Sequence, residues 1–272
     1  MNGDSPGGTV VPSADDDVAR GTRRGGPQLI PRPELWTPGR AAPWSTVDSP
    51  SALIVPDRAR QVLPLGRRGR ESPVKKLGAG ASAVLIPLYE QDGEMHVVLT
   101  RRAQTLRTHR GEVSFPGGRA EPGEDPVTTA IREANEEIGL IPSIVEPLGE
   151  LDHLTTITRR SYIVPVVGLL PSRPEGEMNP AEVEKVLYVP LSELISPDVY
   201  REEQWGSPGM SRPVYFFELD GDTVWGATAA LLRQLLALLT ETDPGGEFDL
   251  DPARGTELIH FDLGPDGSGS VV

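Results

Sequence analysis

The sequence predicts an α/β fold in which a mixed β-sheet carries helices on its faces. Several short runs rich in Val, Ile and Leu are bounded by turn-forming residues, which is typical of strands. Only two segments repeat apolar residues with a helical period, and strands with few intervening helices favour a mixed sheet. The predicted strands are 81–89, 95–101, 148–154, 161–170, 184–190 and 213–219, and the predicted helices are 126–138 and 227–240.

The first two strand segments are expected to form a hairpin. ASAVLIPLY and MHVVLTR flank the sequence QDGE, which contains the pair Asp92-Gly93. An Asp-Gly pair suits a two-residue hairpin turn because both positions then need positive φ angles. We therefore expect the two runs to pair as antiparallel neighbours.

The helix predicted at 126–138 has recognisable ends. Asp125 is a suitable N-cap, Pro126 suits the first helical position, and Gly139 suits the C-terminal exit. At about 100° per residue, four apolar residues fall on one stripe that can face the sheet. These residues are Val127, Ile131, Ala134 and Ile138.

Composition excludes several classes of function. The chain has no cysteine, which excludes disulfides, thiolate nucleophiles and thiolate zinc sites. No apolar run reaches the roughly 18 residues of a membrane-spanning helix, and the first residues lack the features of a secretory signal. We therefore expect a cytoplasmic protein without a membrane partner. The formal net charge of −14 argues against general nucleic-acid binding.

Charge and composition divide the chain into three parts. Residues 1–73 carry 10 basic and 8 acidic side chains among many Gly and Pro, and we expect a disordered or loosely packed N-terminal arm. Within it, residues 28–73 are either an ordered arm packed on the domain or a linker. Residues 74–240 hold the predicted elements and form the expected domain. Residues 241–272 carry 1 basic and 8 acidic side chains, which predicts an acidic flexible tail.

Three glutamates and one arginine are crowded into REANEEIG at the end of the predicted helix. Glu133 and Glu137 are four apart and share one side of the helix, with Glu136 close by. Their repulsion is weak but unfavourable, and a divalent cation would offset it because hard metals take oxygen ligands. A solvated helix face is the alternative interpretation of these eight residues alone. Arg132 can neutralise Glu136, and Glu124 can hold the same arginine from the other end.

Together with the preceding glycine loop, this helix resembles the Nudix box, GX5EX7REUXEEXGU, where U is aliphatic. Every position matches, with Ala134 as a small apolar U; the others are Gly118, Glu124, Arg132-Glu133, Glu136-Glu137 and Gly139-Leu140. The resemblance implies a Nudix hydrolase with an α/β/α sandwich fold. Enzymes of this family hydrolyse a nucleoside diphosphate linked to another group, X.

For the site, the resemblance implies a bound Mg²⁺ or Mn²⁺. Carried over by position, Glu133 and Glu137 are carboxylate ligands, and the backbone carbonyl of Gly117 is a further one. Glu136 is expected either to ligate, directly or through water, or to support Arg132. Bound metal lowers the pKa of water, and Glu133 can accept the proton. The implied catalytic set is Glu133, Glu136, Arg132 and Glu124.

A basic stretch runs directly into the glycine loop. LTRRAQTLRTHRGEVSFPGG, residues 99–118, ends at Gly118, which we expect at the substrate. Its arginines are the other candidate substrate contacts, because a planar guanidinium can donate two hydrogen bonds to a phosphate. For the charge cluster alone, a solvated loop is the alternative. The four candidates are Arg101, Arg102, Arg107 and Arg110.

This stretch is similar to the signature of the coenzyme A diphosphatase branch of the Nudix family. That signature reads approximately LLTxR(S/A), three residues, Arg, three residues, Gly, three residues, FPGG. The matches are Leu99, Thr100, Arg102, Ala103, Arg107, Gly111 and Phe115 to Gly118, while Val98 replaces the first leucine. The resemblance covers about residues 74–240. It implies hydrolysis of coenzyme A, with its thioesters as further candidates, to 3′,5′-ADP and 4′-phosphopantetheine.

Two alternatives to this function stay open. One is a Nudix hydrolase acting on another substrate such as ADP-ribose, and the other is a Nudix-fold binding module without turnover. The four box glutamates disfavour the second. The expected partner is a small nucleotide rather than nucleic acid, and a homodimer is the assembly considered. Glu182 and Glu184 are candidate general bases, with an exposed loop or strand edge as the alternative, and His109 is expected to be structural or exposed.

Overall fold

The structure, a computed structural model, describes residues 24–77, 80–155, 161–207, 209 and 211–243, and the backbone of the strand pair 261–262 and 270–271. Its α-helices are α1 (Pro56–Val62), α2 (Pro126–Ile138), α3 (Leu191–Leu194) and α4 (Gly226–Leu239). Short 3-10 helices cover Pro43–Thr46, Pro50–Leu53, Pro73–Leu77 and Pro142–Ile144. None of the described helices is both long and apolar enough to cross a membrane.

The strands of the described chain form three sheets. They are β1 (Trp36–Pro38), β2 (Gly80–Gln91), β3 (Glu94–Arg102), β4 (Val113–Ser114), β5 (Gly117–Arg119), β6 (Glu146–Glu150), β7 (Leu154–Thr155), β8 (Ser161–Leu170), β9 (Val183–Pro190), β10 (Tyr200–Trp205), β11 (Arg212–Leu219), β12 (Asp222–Trp225), β13 (Phe261–Asp262) and β14 (Ser270–Val271). The largest sheet has the order β4-β3-β2-β8-β6, with β5, β7 and β9 paired to β2, β8 and β3. Because β2 runs parallel to β8 and antiparallel to β3, the predicted mixed sheet is confirmed.

Local elements near the site form where the sequence predicts them. Strands β2 and β3 make the expected hairpin, and both turn residues, Asp92 and Gly93, have positive φ. At the start of α2, the Asp125 side chain accepts hydrogen bonds from two backbone N–H groups, and Gly139 ends the helix in the left-handed conformation. Helix α2 therefore has a defined start and end.

The central sheet is covered on both faces, as a sandwich requires. On one face, Ala134 and Ile138 of α2 are buried in a cluster with Leu85 of β2. On the opposite face, Leu235 of α4 lies in the larger core together with Leu99 of β3. Burial of the α2 stripe leaves its acidic side turned toward the loop that contains β5.

A second, four-stranded antiparallel sheet has the order β1-β10-β11-β12, and most of it escaped prediction. Its strand β10 reads YREEQW, which lacks the apolar alternation of a strand. The structure buries Glu203 of this strand because Arg32 and Trp205 donate hydrogen bonds to its carboxylate. The predicted strand 148–154 is also corrected. The structure has two strands here, β6 and β7, and residues 151–153 between them belong to neither.

The segment 28–73, for which we considered an ordered arm or a linker, packs on the domain. Trp44 is buried and its ring stacks on Phe217 at 6.3 Å between centroids. Ala59 and Leu63 are fully buried in the larger core. Residues 1–23 and most of the acidic segment 241–272 lie outside the described residues, and the division at residues 73 and 240 stays a prediction.

Candidate active site

Arg132 lies at the centre of the carboxylate cluster on α2. Its guanidinium donates to both oxygens of Glu124 at 2.8 and 3.1 Å, and to Glu136 at 3.1 Å. It is also 3.0 Å from Glu133 and donates to the backbone carbonyl of Arg119 at 3.0 Å. The Arg132 hydrogen bonds lower the pKa of Glu124 to about 2, so this carboxylate is ionised at neutral pH. Arg132 thereby joins the start of α2, the glycine loop and the acidic side of the helix.

Glu137 is the most buried carboxylate of the cluster, with 3% of the residue exposed. Its carboxylate accepts a hydrogen bond from the backbone N–H of Gly117 at 3.4 Å, and Arg102 is 3.9 Å away. Burial raises the pKa of Glu137 to about 7, because these partners compensate only part of the lost hydration. A nearby cation would therefore stabilise the charged form of Glu137.

Glu133 lies one turn earlier on α2 and packs directly against the glycine loop. A Cβ atom built on Gly118 would overlap its carboxylate, so a side chain at this position would displace Glu133 from the loop. Burial also raises the pKa of Glu133, against the opposing effect of Arg132. The backbone of the glycine loop thus lies against both carboxylates.

These residues fit a divalent cation. Within the described residues, no three Asp, Glu or His side chains converge closely enough to hold an ion by themselves. The donor set would therefore be the carboxylates of Glu133 and Glu137 with backbone oxygen and water, which is the oxygen-rich set that Mg²⁺ and Mn²⁺ accept. Burial raises the pKa of both carboxylates, so a cation bound beside them would favour their charged forms.

The four candidate arginines do not all lie near these carboxylates. Arg102 faces Glu137. Arg101, its neighbour on β3, turns to the other side and donates to Asp222 at 3.1 Å, with Glu184 at 3.5 Å. Successive residues of a strand point to opposite faces, which separates the two side chains. The Arg101 guanidinium is therefore engaged in an ion-pair network on the side of β3 away from Glu137.

The other two arginines lie on residues 103–111, which we name the arginine loop. Arg107 is exposed and forms no hydrogen bond or ion pair with the described part of the chain. Arg110 is exposed too, and its Nε donates to the Leu106 carbonyl at 2.6 Å. His109 pairs with Glu112 at 2.9 Å, and that hydrogen bond raises the pKa of the histidine. The loop thus presents two guanidinium groups to solvent, and Arg102 at its base faces Glu137.

The two candidate general bases have different surroundings. Glu184 is engaged by Arg101 and by Gln104. Glu182 lies close enough to Glu133 and Glu137 that its charge adds to the rise in their pKa values. Its segment is held against α2 because the Asn179 N–H donates to the Glu137 carbonyl at 2.8 Å. Sequence spacing gave no means to separate these two glutamates, since they lie about 45 residues from α2.

Comparison with known proteins identifies relatives of the central part of the chain. Residues 80–208 match the family model described as NUDIX domain. An uncharacterized Nudix hydrolase, NudL, from Photorhabdus laumondii is 40% identical over 156 residues, which are 57% of this chain and 82% of the relative. Nudix hydrolase 22, chloroplastic, from Arabidopsis thaliana is 40% identical over 171 residues, or 60% of this chain and 56% of the relative.

Solved structures show a weaker likeness. An Ap4A hydrolase binary complex from C. elegans has a TM-score of 0.37 at 18% identity, covering 44% of this chain and 85% of that one. A MutT/nudix family protein from Enterococcus faecalis has a TM-score of 0.40 at 16% identity, covering 60% and 67%. Since these scores are low, the family assignment rests on the sequence relatives.

Proposed function

This chain belongs to the Nudix hydrolase family, and from that premise we propose that it hydrolyses the pyrophosphate bond of coenzyme A. As a Nudix hydrolase it acts on pyrophosphate bonds of nucleoside diphosphate derivatives. The proposal concerns the substrate: free coenzyme A, with its thioesters as further candidates. The products are 3′,5′-ADP and 4′-phosphopantetheine.

The observation that carries this proposal is the arginine loop beside the carboxylates. Arg107 and Arg110 are exposed, and Arg102 at the base of the loop is 3.9 Å from Glu137. Coenzyme A carries a 3′-phosphate in addition to its pyrophosphate, so it has more anionic groups than ADP-ribose. Guanidinium groups bind such phosphates through paired hydrogen bonds. The proposed substrate contacts are Arg102, Arg107, Arg110 and Gly118.

We propose that Glu133 and Glu137 hold Mg²⁺ or Mn²⁺, with the Gly117 carbonyl as a further ligand. A bound divalent ion would polarise the phosphoryl oxygen and lower the pKa of the attacking water. Arg132 keeps Glu133 oriented through their 3.0 Å contact. Glu124 and Glu136 complete that support by occupying the rest of the Arg132 guanidinium.

In the proposed reaction, water adds across the P–O–P linkage. The water oxygen bonds to one phosphorus, the bond from that phosphorus to the bridging oxygen breaks, and the bridging oxygen leaves on the other phosphate. The proton from water goes to a carboxylate, for which we propose Glu182, with Glu133 as the alternative. Both lie at the site, whereas Glu184 is already paired with Arg101.

Product analysis tests this function. The purified chain is incubated with Mg²⁺ and, in parallel, with coenzyme A, ADP-ribose, NADH or a diadenosine polyphosphate, and the products are identified by mass. We expect 4′-phosphopantetheine and 3′,5′-ADP, with kcat/KM highest for coenzyme A. Faster hydrolysis of ADP-ribose would establish the alternative substrate class. Absence of turnover on every substrate would favour a binding module. A cytoplasmic location and a homodimer stay predictions.

A further inference from the structure

The first described residues of the N-terminal arm lie against the turn between β11 and β12. The backbone N–H of Gly25 donates to the Leu219 carbonyl at 2.7 Å. The N–H of Gly26 donates to the Thr223 hydroxyl at 3.0 Å. Two backbone N–H groups of the arm are therefore bound by residues that lie more than 190 positions later in the sequence.

Gln28 extends this contact to the arginine loop. Its side-chain oxygen accepts from the backbone N–H of Thr223 at 2.8 Å. Its side-chain nitrogen donates to Asp222 at 2.8 Å and to the backbone carbonyl of Gly111 at 3.1 Å. One amide group thus makes three hydrogen bonds and connects the arm, the second sheet and the end of the arginine loop.

The fit of the arm at this point is close. A Cβ atom on Gly26 would lie 2.5 Å from the Asp222 Cα and 2.6 Å from the Gly221 carbonyl oxygen. Both are backbone atoms of the turn, so a larger residue would displace the arm. The absence of a side chain at Gly26 is what allows Gln28 to reach Gly111.

Asp222 explains why the contact needs an amide donor. This carboxylate is fully buried, and Arg101 donates to the same oxygen that Gln28 contacts. Lys185 lies 3.9 Å from its other oxygen. Arg101 immediately precedes Arg102, whose backbone N–H and carbonyl bond to Glu112 and Gly111 and so close the base of the arginine loop.

We propose that Gln28 is a positioning residue that holds the arginine loop at the site, so the N-terminal arm takes part in substrate binding. The proposal rests on the proposed function for the identity of the substrate. The Gln28 side chain hydrogen-bonds to Gly111, Asp222 and Thr223, none of which is a proposed metal ligand or substrate contact. Its loss therefore changes the affinity for the phosphorylated substrate, through Arg107 and Arg110, rather than the bond-breaking step.

Three variants of the full chain test this role. Gln28→Ala removes all three hydrogen bonds. Gln28→Glu keeps the size of the side chain, but it has no donor and faces the Asp222 carboxylate. Gly26→Val would place its Cβ against the Gln28 side-chain oxygen and the backbone of the turn, so it blocks docking of the arm and displaces the Gln28 amide with it. Gln91→Ala is the matched control, because among the described residues the exposed Gln91 side chain hydrogen-bonds only to its neighbour Asp92.

Two measurements are made on each variant. Amide hydrogen exchange of peptides covering residues 103–112 reports whether the loop is held. Steady-state kinetics with coenzyme A and Mg²⁺ separate KM from kcat. We expect faster exchange in all three variants. We also expect KM to rise about three- to tenfold, the effect of losing about one hydrogen bond between the arginine loop and the substrate, with kcat nearly unchanged. The control should match the wild type in both measurements.

Failure of this inference is distinguishable from failure of the proposed function. If the wild type hydrolyses coenzyme A but Gln28→Ala and Gln28→Glu leave KM or loop exchange unchanged, the positioning role is wrong. A purely packing role would leave Gln28→Glu close to wild type, which also overturns the inference. If the wild type does not hydrolyse coenzyme A, the proposed function fails, and loop exchange in the variants then decides for or against the positioning role by itself.

Discussion

Replacement of Glu137 by glutamine separates the contribution of this carboxylate to function from its cost to stability. The side chain is buried, its nearest cationic group is 3.9 Å away, and glutamine has nearly the same shape. Turnover should fall by at least about 10²-fold, because loss of one ligand charge removes several kcal/mol of metal-dependent stabilisation. Without metal, the same change should make the protein more stable at alkaline pH.

The size of the stability effect follows from the raised pKa. Burial moves the pKa of Glu137 from 4.5 to about 7 in the folded protein. The folded state then binds this proton more tightly than the unfolded state. Protonated Glu137 makes its full contribution to the stability of the folded state below about pH 4.5, and this contribution is lost as the pH rises through 7. At about 1.4 kcal/mol per pKa unit, the loss is at most about 3.5 kcal/mol above pH 7.

Urea denaturation of the metal-free protein measures this difference. Wild type, Glu137→Gln and the exposed control Glu136→Gln are compared at pH 5 and pH 8 in the presence of a chelator. We expect Glu137→Gln to exceed wild type in free energy of unfolding at pH 8 by about 1–3 kcal/mol, with a smaller difference at pH 5. The control loses an ion pair with Arg132 and should not gain stability.

Addition of Mg²⁺ should reverse the order of stability. Bound Mg²⁺ stabilises the wild type by an amount that grows with the ratio of the Mg²⁺ concentration to the dissociation constant of Mg²⁺. The variant should bind Mg²⁺ more weakly and gain less stability. A folded Glu137→Gln protein with wild-type turnover, or with no gain in stability at pH 8 without metal, would refute the reasoning.

Three further predictions concern neighbouring groups. Asp125→Ala removes the N-cap hydrogen bonds of α2 and should lower the free energy of unfolding in urea by about 0.5–2 kcal/mol, whereas the exposed Asp57→Ala serves as control. Glu182→Gln should lower kcat far more than Glu184→Gln, because Glu182 lies close to the proposed metal ligands whereas Glu184 pairs with Arg101; equal kcat values would remove Glu182 as the proposed proton acceptor. Arg107→Ala should raise KM for coenzyme A about tenfold and less for ADP-ribose, and equal increases would mean that it binds the shared pyrophosphate.

Several features of the site could be predicted because they depend on neighbours in sequence. The caps of α2 involve residues within four positions, and the Asp92-Gly93 turn depends on two adjacent residues. The hydrogen bond of Arg132 to Glu136 follows from helical spacing. The Nudix box is itself such a local pattern, which is why family and helix could both be inferred from the sequence.

Other features depend on contacts between distant segments. Glu136 and Glu137 are adjacent glutamates, yet only Glu137 is buried, because its side of α2 faces the glycine loop. The burial of Glu203 in β10 depends on Arg32, 171 residues away. No local pattern in YREEQW indicates that Glu203 has such a distant partner.

The sequence by itself determined the family, the acidic helix and the basic loop, since each is encoded by residue type and short spacing. Only the tertiary structure decided which charged groups share a site. It turned Arg101 toward Asp222 and Arg102 toward Glu137, and it brought Gln28 to Gly111 from 83 residues away. The physical reason is that the surroundings of a charge depend on which segments pack against it, and this packing involves the whole folded chain.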